Sequence, residues 1–106
     1  MRWYQRIIAA HAAVTDNVSH YARLKSDRYF VWQENGANDI TADNVHTEKA
    51  MTGSTDLFTK QEFDPWIDAF SAALDANGIS WNLNSVQYEP ETEFIHYEWV
   101  WQVTDG

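Results

Sequence analysis

The chain has no cysteine. That excludes disulfides, thiolate metal sites and a cysteine nucleophile, and it suits a reducing compartment or a particle assembled in one. Basic residues are scarce: Lys and Arg total 7 against 16 Asp and Glu, for a net charge of −9. A free-standing nucleic-acid binder needs clustered Lys and Arg to displace counterions from phosphates, so this balance argues against one. No run approaches the ~18 apolar residues of a membrane span. The N-terminal apolar stretch is broken by Gln5, Arg6 and His11, and no small-residue cleavage site follows it, so no targeting segment is expected. Internal repeats and low-complexity tracts are missing too, so the 106 residues are expected to form a single domain without a linker.

What is present is uneven charge and many aromatic rings. Residues 1–30 carry five basic side chains against two acidic ones, a net of +3, whereas residues 31–106 carry two against fourteen, a net of −12. Segments of opposite sign point to self-association or to a polarised surface. Aromatics make up 15% of the chain and include six tryptophans, more than one small core is expected to need.

Periodicity gives the element order. Trp3, Ile7, Ile8, His11 and Val14 form a helical stripe supported by four alanines, and Thr15-Asp16-Asn17 stops it. Val18–Leu24 alternates as a short strand. Tyr29-Phe30-Val31-Trp32 reads as a second strand, closed by turn chemistry at Asn35–Asp39. A third strand is expected over 45–59, broken near Gly53. Asp64-Pro65 opens a second helix, with Asp68 in its first turn and Asn77-Gly78 at its end. Residues 79–103 form a hairpin around the acidic turn Glu89, Glu91 and Glu93. The expected fold is α+β, in the order helix, three strands, helix, two strands. Its helices pack on one face of a mostly antiparallel sheet. Ile7, Ile67, Phe70, Leu74, Trp81, Tyr97, Trp99 and Trp101 are the expected core.

Chemistry is thin. His96 and Glu98 stand two apart on one strand face, the spacing of a shared proton or metal, but an exposed polar face explains them without a third ligand nearby. Asp64 and Asp68 are one helical turn apart, and capping accounts for them. The acidic turn lacks the glycine and carbonyls of a calcium loop. No serine lies in a nucleophile elbow and no phosphate loop is present, so no catalytic residue, metal or cofactor is expected. Trp32 and Phe30 are expected on the sheet face away from the helices. There they would be exposed in a monomer as a subunit interface or a sugar-stacking platform.

The succession Tyr29-Phe30-Val31-Trp32, Ala42-Asp43-Asn44, Thr55-Asp56-Leu57-Phe58-Thr59, Asp64-Pro65, Tyr88-Glu89 and His96-Tyr97-Glu98-Trp99 resembles the tail terminator (tail completion) proteins of Gram-positive siphophages and prophages, often labelled minor capsid proteins. The pattern spans residues 29–103. It departs at Arg28, where the family usually has proline, and at Glu93, where it often has glycine. The resemblance implies a non-catalytic virion protein at the head–tail junction, assembled in the host cytoplasm. It implies a hexameric ring that ends tail-tube growth, with the tail-tube and head-completion proteins as partners. DNA would pass through the ring without specific binding, and an acidic lumen suits that passage. On this reading Asp39 and Asp43 face the lumen or the tube, and Phe30, Trp32, Arg2 and Arg6 meet a neighbouring subunit. A head-completion, stopper or minor capsid role shares the same features. A carbohydrate-binding module built on Trp32, or an enzyme built on His96 and Glu98, would be alternatives from other classes.

Overall fold

The computed structural model describes residues 1–42 and 46–106. Two helices and five strands follow one another as α1 (Trp3–Ala12), β1 (Val18–His20), β2 (Arg28–Ala42), β3 (His46–Thr59), α2 (Trp66–Ala76), β4 (Ser80–Glu89) and β5 (Phe94–Thr104). The strands make one sheet in the order β1-β2-β3-β5-β4. Only the β1–β2 pair is parallel. The fold is α+β, and both helices contribute to a core on one sheet face. No described helix is long and apolar enough to cross a membrane.

Local chemistry explains the helix ends. After α1, Thr15 turns its hydroxyl back to accept the Asn17 N–H at 3.1 Å, which draws the backbone out of the helix. Pro65 has helical dihedrals, φ −58° and ψ −20°. Asp64 therefore acts as the cap, and its carboxylate accepts the Trp66 N–H at 2.9 Å. At the other end Gly78 takes φ +67°. The Ile79 N–H then reaches the Leu74 carbonyl at 2.9 Å and the Gly78 N–H reaches that of Asp75 at 3.0 Å, a Schellman closure.

The strands differ from the periodic reading in three places. β1 ends at His20, because Tyr21 takes φ 75° and turns the chain back across the sheet. β2 continues through Asn35–Asp39 to Ala42, since the expected turn is a bulge between Glu34 and Gly36 that absorbs one residue without ending the ladder. β4 reaches Glu89, with a second bulge between Leu83 and Ser85. Beyond the Ala50–Thr104 pair, β3 has no third-strand partner among the described residues, so residues 39–42 and 46–49 form a two-stranded arm. The described residues span about 51 × 23 × 23 Å.

Gly53 lies where Trp101 crosses β3. A Cβ there would stand 2.3 Å from the Trp101 ring and 2.4 Å from the Gln33 carbonyl oxygen, so no side chain fits. Gly53→Ala is expected to cost about 1–3 kcal/mol by overpacking, read from urea denaturation. The acidic turn supplies the opposite case. Glu93 takes φ 62°, a left-handed conformation that a Cβ disfavours. Glu93→Gly is expected to raise stability by roughly 0.5–1 kcal/mol, visible as a higher urea midpoint at unchanged slope.

Candidate functional site

The sheet face away from the helices carries the expected His96–Glu98 pair, but their partners are different residues. The His96 Nε2 lies 2.8 Å from Asp56 Oδ1, and its ring stacks on Phe58 at 4.4 Å. Glu98 accepts a hydrogen bond from Asn84 at 2.7 Å. Among the described residues no three of His, Cys, Asp or Glu gather as metal ligands. Asp64 and Asp68 do not act together either: Asp64 is buried and Asp68 exposed. Glu91 and Glu93 are exposed at the hairpin tip, with Glu89 half-buried behind them.

Phe30 and Trp32 do not lie on the outer face. Phe30 is 0% exposed and Trp32 is 6% exposed, both under the helices. The run Tyr29-Phe30-Val31-Trp32 is apolar on both sides, so alternation could not say which side the helices cover. Tyr29 and Val31 take the outer face, where Phe58, Leu24 and Phe94 complete a small second cluster. The tryptophans are not surplus. Trp32, Trp99 and Trp101 are core, and Trp3, Trp66 and Trp81 pack against it. This removes Phe30 and Trp32 as an exposed interface on the outer face and takes from the sugar platform its central ring. Ile7, Phe70, Leu74, Tyr97, Trp99 and Trp101 are buried, whereas Ile67 and Trp81 border the core half-buried.

That core holds a polar chain. His11 is 2% exposed, with Nδ1 2.8 Å from the Ile7 carbonyl and Nε2 3.1 Å from Thr55 Oγ1. The carbonyl can only accept, so Nδ1 carries the proton and Nε2 accepts from the Thr55 hydroxyl. Thr55 in turn accepts the Trp101 indole N–H at 3.0 Å. Burial lowers the His11 pKa to about 4, against a smaller upward effect of the Ile7 carbonyl.

The basic N-terminal residues divide. Arg6 is committed inside the chain: it donates to the carbonyls of Asn77 at 2.8 Å, Thr104 at 2.9 Å and Gly78 at 3.0 Å. It ties α1 to the end of α2 and to β5, so it is not free for a neighbouring subunit. Arg2 is exposed and lies 3.4 Å from Asp105. Asp39 sits in the arm, in register with Lys49. Asp43 lies outside the described residues.

Sequence reading missed an aromatic stack at the β1 edge. The His20 ring lies 3.8 Å from Trp32 on one side and 3.8 Å from Tyr21 on the other. Its Nε2 lies 2.7 Å from Glu34 Oε1. Partial burial opposes the Glu34 charge, but bonds from Tyr21, its own backbone amide and His20 outweigh it and hold the carboxyl below its ordinary range. Beside the stack a cavity of about 370 Å³ is lined by Ile8, His11, Thr15, Val18, His20 and Trp32, among others. Parallel pairing sets His20 opposite Trp32, a register that no local sequence signal specifies.

The fold is similar to that of a chain in a virion particle. A chain in the virion of the native gene transfer agent (GTA) particle aligns over 97% of this chain and 91% of its own length, with a TM-score of 0.53 at 12% identity. At that identity the likeness is one of fold. No family model matches the sequence, and no curated protein matches it significantly.

Proposed function

We propose that this chain is a structural, non-catalytic virion protein of a tailed phage or phage-like particle. Within the virion it works at the head–tail junction, as a ring that ends tail-tube growth and forms part of the DNA conduit. The observation that carries the reading is the fold likeness to a virion chain over nearly the full length of both proteins. The ordered motifs from Tyr29 to Trp99 support it, and so does the charge of −9, which lets DNA pass without adhering. The two-stranded arm extends past the third strand, so it offers backbone to a tube subunit or a neighbouring copy rather than to its own core.

The test is tube capping. Tail-tube protein from the same virion, polymerised with this chain present, is expected to stop at short lengths with the chain bound at tube ends. Labelled electron microscopy reads both. Unchanged tube lengths with unlabelled ends would overturn the terminator role. Binding to DNA-filled heads in preference to tubes would move the chain to head completion.

A further inference from the structure

The two outer edges of the sheet are unlike each other and match as a pair. From Ser80 to Tyr88, β4 carries no charged residue and no proline. Natural sheet edges are usually blunted by charge, proline or shortness, and a long neutral edge is a surface for another chain. Register places Leu83, Val86 and Tyr88 opposite Trp99, Tyr97 and Ile95, on the helix-bearing face. They are nonetheless 42%, 54% and 59% exposed, an apolar strip that α2 does not cover. At the opposite edge, β1 is three residues long. There Ile8 and Tyr21 are 51% and 59% exposed beside the 370 Å³ cavity and the His20–Trp32 stack.

Charge fixes how the edges meet. β4 ends in the acidic turn, at the same sheet end where β2 begins and β3 finishes. The return segment after β1 carries exposed Lys25 back toward that same end, while Arg23 folds inward over the Phe58 ring at 4.8 Å on the outer face. Among the described residues Lys25 forms no salt bridge, and Asp27 of the same segment is paired with Lys60 at 3.5 Å. When two copies lie side by side with these ends aligned, Glu89, Glu91 and Glu93 of one face Lys25 of the next. The Leu83–Val86–Tyr88 strip then falls beside Ile8 and the cavity.

We infer that a second copy of this chain docks its β4 edge into the α1–β1 edge of the first, a head-to-tail contact between two different surfaces. Such a contact leaves a free edge on each side of every pair, and it closes only as a ring. The closure rests on the ring reading above; the two surfaces do not.

The absence of cysteine makes the test clean. Both Ile8 and Val86 are exposed, so Ile8→Cys and Val86→Cys are tolerated, and far-UV circular dichroism checks this. Under mild oxidation the double variant is expected to give a ladder of covalent oligomers, alone at high concentration or on tail tubes, while each single variant gives none. Dimers from Val86→Cys alone would mean β4 pairs with itself, and would overturn the proposal. So would a double variant that stays monomeric on tubes it still caps, which leaves the terminator reading standing. A ladder without capping does the reverse. Charge supplies an independent arm: Glu91→Lys or Lys25→Glu alone should weaken association several-fold at low salt, and the two together should restore it. No rescue would remove the charge alignment.

Discussion

Asp64→Ala is expected to destabilise the protein by about 2–4 kcal/mol, the loss of a buried carboxylate that caps a helix and satisfies several donors at once. The side chain is fully buried. Its carboxylate accepts from Arg28 Nε at 2.8 Å, from Arg28 Nη2, from the Thr59 hydroxyl at 2.8 Å and from the Trp66 N–H at 2.9 Å. One group thus caps α2, ends β3 and anchors the start of β2. The Arg28 guanidinium also lies 3.8 Å from the centre of the Trp66 ring, a cation–π contact that holds it in place beside the carboxylate. A domain of this size has roughly 5–15 kcal/mol in total, so the loss would shift the urea midpoint severely. Asp64→Asn keeps an acceptor for the cap and should cost less than Asp64→Ala. A loss under about 1 kcal/mol for Asp64→Ala would mean that water replaces the carboxylate without strain. The acid dependence follows. Burial pushes the Asp64 carboxyl upward, but the bonds from Arg28, Trp66 and Thr59 outweigh it and leave its pKa below the ordinary value. Its contribution is therefore present above the unfolded carboxylate range near pH 4 and lost as pH falls through the folded value.

Asp64 also shows how far the sequence could be read. Asp-Pro before an apolar stripe specifies a helix start, because both preferences are local. That Arg28 would clamp it is not local, since 36 residues separate them. The resemblance expects proline at 28, and a proline could not make this link. The same division runs through the fold. Strand β5 was legible because its five inward residues alternate cleanly, whereas β2 was cut short because Asn35-Gly36 carries turn chemistry that the structure uses for a bulge. The proposed assembly surfaces are legible only in part. Segments of opposite charge point to self-association, but they do not say which face of β2 is covered. A run that is apolar on both sides contains no sign of which side the helices will cover. The uncharged edge β4 was visible in the sequence, and it gained meaning only when the topology set it outermost.

The second large effect is a loss of stability in mild acid, expected to reach about 3 kcal/mol between pH 6.5 and pH 4 and to come from His11. Buried His11 has its pKa lowered to about 4 in the folded chain, against 6.5 when unfolded. Between those values the unfolded chain binds more protons than the folded one, so stability rises with pH across the window. The contribution is complete above the unfolded pKa and is lost as pH falls toward 4. The geometry explains the resistance to protonation. Nε2 already accepts from Thr55, whose oxygen accepts from Trp101, so an added proton on Nε2 would turn an acceptor into a second donor aimed at the same hydroxyl. Around the ring stand Phe30, Trp32 and Phe70, which offer a new cation no carboxylate. His11→Gln, which can still accept from Thr55 but does not titrate, should start less stable at pH 7 and show a flatter profile from pH 6.5 to 4. Urea midpoints measured across that range for both proteins supply the check, and parallel slopes would place the acid sensitivity elsewhere. This window lies above the one assigned to Asp64. The two losses should therefore appear as separate steps, the buried histidine failing first and the Arg28–Asp64 clamp only in stronger acid.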